Sequence, residues 1–372
     1  MATPATARVE LAAIRHNVAL LRQRAGGAEV MGAVKADAYG HGLVPASKAV
    51  LDGGATRLGT AYIREALALR EGGVTAPVLS WIIGPGEPID DALRAGVELS
   101  AADVPLLDEI AAAARRVGRA ARTHLEADTG MSRGGAPLAA WPALLARAAA
   151  LQAEGAIEVV GLWSHFACAD IPGHPSIDAQ LDAFDAALRL AEKEGVAGSH
   201  VIRHLANSAA VMTLPRAHYD MVRTGIAMYG LSPVPELGDF GLRQAMTLTA
   251  RIALAKRVPA GSGVSYGHLH VTDRETTLGL VPIGYADGVL RHATGRVEVL
   301  AGGRRRPVTG RVCMDQFMID MGDDPLAAGD EVVLFGPGGE GEPTAQEWAD
   351  NLGTITHEIV TRIGSRVPRV HV

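Results

Sequence analysis

Cysteine is nearly absent from the 372 residues: there are two, Cys168 and Cys313. Two thiols so far apart do not make a disulfide framework and suit a reduced, cytoplasmic compartment. Each is flanked by apolar or small residues, so each reads as packing rather than as a nucleophile. No uninterrupted run approaches the roughly 20 apolar residues of a membrane span. The opening "MATPATARVELAAI" has no charged leader ahead of a long apolar core, which argues against a secretory signal. Lysine-rich tracts are missing as well. With a net charge of −6, the chain shows no electrostatic footprint for nucleic acid. Its one arginine cluster, "GGRRRP" (Gly302 to Pro307), reads as a solvated loop. Neither nucleic acid nor membrane is an expected partner.

What is present is enough apolar material, 48% of residues, for a well-buried core and two domains. Short β-type runs alternate with alanine-rich helical stretches through the first two-thirds: "EVMGAVK", "TRLGTA", "APVLSWII", "GVELSA", "RTHLEAD", "VVGLWSHFA", "VIRHLAN" and "HYDMVRTGI". The helical stretches between them often close on glycine, which supplies the left-handed exit. About eight such units predict a TIM-like (β/α)8 barrel over residues 11–235. Past "MYGLSPVPELGDFG" the long helices vanish and alternating segments punctuated by glycine and proline take over. They predict a separate, mainly antiparallel β domain over 236–372, with "TAQEWADNLGTITHEIVTRI" as its helical stretch. Residues 1–10, containing "ARVEL", are expected to pair with that second domain. No metal site is expected.

The stretch "EVMGAVKADAYGHG" (Glu29 to Gly42) carries the first chemical signal. In a barrel the working residues sit at the carboxyl ends of the strands, which is where the pattern puts Lys35. A lysine partly removed from water has a lowered pKa and serves as a nucleophile or base near neutrality, including in Schiff-base chemistry; a lysine snorkelling into solvent is the plain alternative. The turn that follows is expected to set Tyr39 and His41 over the same cavity.

The ordered set "AVKADAYGHG", "ADTGMSRGG", "WSHFACAD", "HLANSAA", "DMVRTGIAMYG", "GVSYG", "PIGYADG" and "GRVCMDQ" runs through nearly the whole chain and resembles the consecutive signatures of bacterial alanine racemases. The resemblance implies a pyridoxal phosphate enzyme of fold type III, working as a head-to-tail homodimer with shared active sites and supplying D-alanine for peptidoglycan. Lys35 would hold the cofactor as an internal aldimine. Tyr39, Ser208 and the backbone of Gly225 and Ile226 would hold its phosphate; hydroxyls and amides at a strand-to-helix junction make an anion site. Read alone, Ser208 would be a helix N-cap. Racemisation needs an acid and a base on opposite faces of one carbon, and the resemblance assigns them to Lys35 for the D isomer and Tyr266, from across the dimer interface, for the L isomer. A tyrosine ordinarily titrates near about 10, and the family aids it through a histidine and an arginine, matched by His165 and Arg223. Arg223 would also meet the pyridine nitrogen and, since arginine hardly ever gives up its proton, keep the ring a weaker electron sink. Arg133 and the Met314 amide would take the substrate carboxylate.

Two departures from the family pattern stand out. Glu126 stands where many members carry a carbamylated lysine bracing the arginine; it supplies negative charge without modification, on a shorter stem. Ser365 stands where tyrosine often lines the entrance, which implies broader acceptance, for instance of serine. Tyr285 remains as a gate, with Asp170, Arg291 and Arg311 as the polar approach. Rival readings are a hydrolase elbow at "GVSYG", disfavoured because a strand rather than a helix follows Ser265, a pyridoxal phosphate carrier, and a fold type III amino-acid decarboxylase using Cys313.

Overall fold

A computed structural model describes residues 4–372; the first three residues of the segment expected at 1–10 lie outside the described residues. The expected strands of the first two-thirds are Glu29–Ala33, Arg57–Thr60, Val78–Ser80, Glu98–Ala101, Ala121–Asp128, Ile157–Trp163, Ile202–His204 and Met221–Thr224. They pair in parallel in chain order, and Met221–Thr224 returns to Glu29–Ala33. The last gap is bridged by two amides, Asp220 to the Arg203 carbonyl at 3.1 Å and Arg223 to the Ala206 carbonyl at 2.8 Å. The result is a nearly closed eight-stranded barrel. Strands of such a barrel are covered on both faces.

Helices follow the strands and cover the barrel. Val104–Val117 illustrates how the sequence makes one. Asp103 accepts a hydrogen bond from the Leu106 amide at 2.8 Å, Pro105 fits the first turn, and Gly118 leaves in the left-handed conformation at φ 73°. Leu107, Ile110, Ala111 and Ala114 form its buried stripe, with burial of the leucine and isoleucine each contributing about 1.5–3 kcal/mol.

The second sheet has nine strands, and Ala5–Val9 lies in it rather than in the barrel. That strand pairs antiparallel with Met246–Arg251 and parallel with Arg369–His371, so the two ends of the chain meet there. The helical stretch expected near the carboxyl terminus is two helices, Ala345–Leu352 and Thr356–Thr361. Gly353, at φ 64°, ends the first with a left-handed residue and breaks the run. The second helix presses on the barrel mouth: a Cβ added to Gly40 would lie 2.5 Å from the Val360 carbonyl oxygen. No helix among the described residues is long and apolar enough to cross a membrane.

Candidate active site

Immediately after strand Glu29–Ala33 the chain makes an unusual turn. Ala36, Asp37, Ala38 and Tyr39 all have φ of 53–55°, a turn of left-handed helix built from residues that are not glycine. Each such residue costs about 1–2 kcal/mol, so the surroundings must hold the turn. The Ala38 amide donates to the Val34 carbonyl at 2.8 Å, the Ala36 amide to Glu65 Oε1 at 2.7 Å, and Asp37 Oδ1 accepts from the Leu43 amide at 2.7 Å. Lys35 is thereby held at the barrel mouth, with its Nζ 5.8 Å from the centre of the Trp81 ring. Burial lowers its pKa; Arg133 and Arg223 push the same way, against Glu65. The amine is therefore more available as a free base than an exposed lysine's.

His41 does not share the cavity with Tyr39. It is fully buried, its ring stacks on Tyr229 at 4.4 Å, and its Nδ1 lies 3.1 and 2.9 Å from the Ala38 and Tyr39 carbonyls. Burial pushes its pKa down to about 4. His41 is thus a neutral histidine that clamps its own turn, not a residue of the mouth.

Arg223 projects from strand Met221–Thr224 into the barrel, buried, with its Cζ 4.7 Å from the Trp163 ring. Its Nη1 donates to His204 Nδ1 at 3.0 Å and to the His204 carbonyl at 2.9 Å. Its Nη2 reaches the Ser164 carbonyl at 2.7 Å and His165 Nδ1 at 3.1 Å. Nε alone has no hydrogen-bond partner among the described residues. Burial lowers the Arg223 pKa to about 10, offset in part by Glu126; the group stays a cation at neutrality. A guanidinium only donates, so His165 Nδ1 must present a lone pair and its proton must sit on Nε2. Burial first, then Arg223, Arg133 and Lys35, hold His165 well below its usual pKa. It is a neutral N–H donor rather than a second positive charge.

Across the mouth, Ser208 opens helix Ser208–Thr213, and its Oγ accepts from the Gly225 amide at 2.8 Å. The cap of that helix is Asn207, whose side chain accepts from the Ala210 amide at 3.1 Å, so Ser208 is released from the capping role. A Cβ on Gly225 would fall 2.4 Å from the Tyr39 hydroxyl. Only glycine leaves this space, and around it lie two hydroxyls and the start of the Ile226–Tyr229 turn. That donor set fits an anionic phosphate.

The remaining candidates are not all gathered here. Arg133 is exposed on a loop whose Gly130, Met131 and Ser132 amides all donate to Asp128 Oδ1 at 2.9–3.1 Å. Behind that loop lies Glu126: a Cβ on Gly134 would be 3.2 Å from its Oε1. Burial raises its pKa to about 7 despite Arg223 and Arg133, so the expected bracing charge is only partly developed at neutrality. Tyr266 is 72% exposed, in a cavity of about 790 Å³ lined wholly by the second domain, Cys313 included. Nothing among the described residues joins Tyr266 to Lys35. Tyr285 donates its amide to the Cys313 carbonyl at 3.1 Å and Ala286 to that of Met314 at 2.9 Å, which groups the gate loop with Met314. Gly364, next to the exposed Ser365, packs against Ala286 and Asp287 of the same loop. Arg311 lies over Gly267, beside Tyr266, while Asp170 and Arg291 are exposed.

Sequence reasoning missed His357. Carried by helix Thr356–Thr361, it lies 5.9 Å from the Tyr39 ring, and its buried Nδ1 has no hydrogen-bond partner among the described residues. Burial lowers its pKa to about 4, helped by Lys35 and opposed by Asp170. No spacing signal connects residues so far apart in the chain. Missed too were His124 and Glu98, which lie behind Arg223.

Fold and site together define a barrel enzyme built on a buried amine and an anion cradle, extended by a β domain. The alanine racemase N-terminal domain model matches residues 9–233 and the C-terminal domain model residues 245–371. The alanine racemase of Frankia casuarinae is 59% identical over 98% of this chain and 95% of its own length; that of Thermobifida fusca is 56% identical over 100% and 99%. Among solved structures, alanine racemase from D-cycloserine-producing Streptomyces lavendulae superposes with a TM-score of 0.98 at 52% identity, covering 100% of this chain and 98% of that one. The Bacillus anthracis alanine racemase with bound L-Ala-P does so at 0.90 and 36%, covering 100% and 96%. The chain belongs to the alanine racemase family and is thus an isomerase.

Proposed function

We propose that this chain interconverts L-alanine and D-alanine with pyridoxal phosphate held on Lys35, in a homodimer whose active sites are shared. The observation that carries the reading is the Lys35 amine, buried and lowered in pKa with Arg133 and Arg223 acting on it, at the start of the same turn that brings Tyr39 to Gly225 and its Ser208 partner. When bound, the cofactor supplies an electron-withdrawing ring that acidifies the α C–H of an attached amino acid. Lys35 moves the proton on the face of the D isomer, and Tyr266 of the partner subunit moves it on the other. His165, through its Nε2–H, donates to the phenolate oxygen. The Tyr39 and Ser208 hydroxyls and the Ile226 amide would hold the phosphate; the Gly225 amide, expected in the same role, donates to Ser208 Oγ instead and orients that hydroxyl. Arg223 would offer the pyridine nitrogen its unengaged Nε–H and, as a reluctant acid, would leave that nitrogen unprotonated. Arg133 and the Met314 amide take the substrate carboxylate, while Tyr285, Asp170, Arg291, Arg311 and Ser365 flank the approach.

The working units in this reading are residues 1–10 with the β domain, 11–235 as barrel and 236–372 as β domain. Exposure of the large apolar side chains Tyr266, Leu269, Val271 and Met314, all in the β domain, supports a second copy's barrel mouth as their cover. Two free cysteines fit a cytoplasmic enzyme, and D-alanine for peptidoglycan is the proposed role.

Borohydride reduction of the protein with pyridoxal phosphate should fix the cofactor's mass on the peptide holding Lys35. A label on Lys48, or none, defeats the proposal. Chiral analysis in heavy water should give α-deuterated D-alanine from L-alanine.

The exposed Ser365 beside the gate loop favours a wider entrance and therefore acceptance of L-serine. Ser365→Tyr should lower kcat/KM for serine relative to alanine by roughly tenfold, about 1.4 kcal/mol of transition-state discrimination. An unchanged ratio removes Ser365 from substrate selection.

A further inference from the structure

Barrel interiors are ordinarily filled by branched apolar residues. This one holds a continuous polar string instead. His204 lies between Arg223 and His124: Arg223 Nη1 is 3.0 Å from His204 Nδ1, and His204 Nε2 is 2.9 Å from His124 Nδ1. His124 Nε2 is in turn 3.1 Å from Glu98 Oε2. Both imidazoles are fully buried, and Glu98 is 2% exposed.

The direction of every bond follows from its ends. Arginine cannot accept, so His204 Nδ1 is a lone pair and its proton is on Nε2. That proton points at His124 Nδ1, so His124 carries its own proton on Nε2, facing the carboxylate. Burial keeps both rings neutral. Burial alone would raise the Glu98 pKa, but the bonds from His124, Arg57 and Arg122 outweigh it and bring it to about 2. The carboxylate is ionised and shared, 3.0 Å from Arg57 Nη1 and 3.0 Å from Arg122 Nε. The backbone is shaped for the string: a Cβ on Gly161, the strand partner of His124, would fall 2.0 Å from His124 Nδ1.

We propose that Glu98 is a positioning residue for Arg223: acting through His124 and His204, it turns two aligned imidazole dipoles so that their negative ends face the guanidinium. The string occupies Nη1 and, with Nη2 taken by Ser164 and His165, leaves Nε–H as the donor that would be free for the cofactor. It also tempers the cation, since aligned hydrogen bonds polarise one another. This rests on the cofactor reading above.

Two substitutions should act with opposite signs. Glu98→Gln removes the negative charge while keeping an acceptor, so Arg223 becomes the stronger positive neighbour of the ring. Transamination relative to racemisation should rise roughly threefold, and the pH midpoint of the bound cofactor's visible band should fall. Arg122→Gln, at the rim, frees the carboxylate of one cation, so the ratio should drop and the midpoint rise. KM for alanine should hold in both. Changes of the same sign in both variants, or a lowered Tm with neither quantity moved, overturn the proposal, and Arg122→Gln still decides it where Glu98→Gln does not fold. Solid-state ¹⁵N spectra of the histidine-labelled protein should show His124 and His204 neutral and protonated at Nε2, whatever the cofactor does. Protonation at Nδ1 in either ring overturns the string. A wild-type protein without a visible band but with these tautomers would discard the cofactor reading and leave the string standing.

Discussion

Lys35→Ala and Tyr266→Phe should each be nearly inactive when expressed alone, with racemisation reduced at least about 10³-fold in both directions. Co-expressed, they should regain activity. The reason is the separation of the two groups: Lys35 stands at the barrel mouth, whereas Tyr266 is exposed in a cavity lined only by the β domain. If a site takes its lysine from one chain and its tyrosine from the other, a mixed dimer carries one doubly altered site and one intact site. Random pairing makes half of the dimers mixed, so about a quarter of wild-type sites return. A site contained within one chain predicts no recovery at all. The outcome is read as initial rates from L- and from D-alanine on the co-purified mixture, beside each variant alone.

The parts of this architecture that were legible in the sequence are those governed by local pattern. The eight barrel strands read as short β-type runs because they alternate regularly with helical stretches, and Lys35 reads as a strand-end residue because the apolar run "VMGAV" stops just before it. The left-handed turn was not legible. Of Ala36, Asp37, Ala38 and Tyr39 only the aspartate is of a type enriched at positive φ, and the turn persists through contacts with Glu65, Leu43 and the Thr356–Thr361 helix. His41 departs from its expected place for the same reason: the turn sets it under Tyr229 instead of toward the mouth. The string behind Arg223 joins positions 26 and 80 residues apart, and nothing in the spacing of Glu98, His124 and His204 announces it. Gly161 looks like an ordinary strand glycine until the imidazole it makes room for is known. The charge state of His165 likewise follows only from which atom faces Arg223.

Glu126 provides the second large effect. Its pKa in the folded protein is about 7 against 4.5 for an ordinary glutamate, with burial as the main cause. Between those values the unfolded chain releases a proton that the folded chain keeps, so stability falls as pH rises from about 4.5 to about 7. Above that range the full penalty, on the order of 3 kcal/mol, is in force. Glu126→Gln removes the ionisation while keeping the shape. The variant should match the wild type near pH 4.5 and exceed it by about 3 kcal/mol at pH 8, in denaturant unfolding of the cofactor-free protein. A stability difference that stays flat across this range would sink the idea that Glu126 is an uncompensated buried acid. Intact mass of the peptide containing Glu126 should show no added carbamate, because a carboxyl has no amine to modify. Arg133 then meets a charge that develops with rising pH, in contrast to a permanently charged brace.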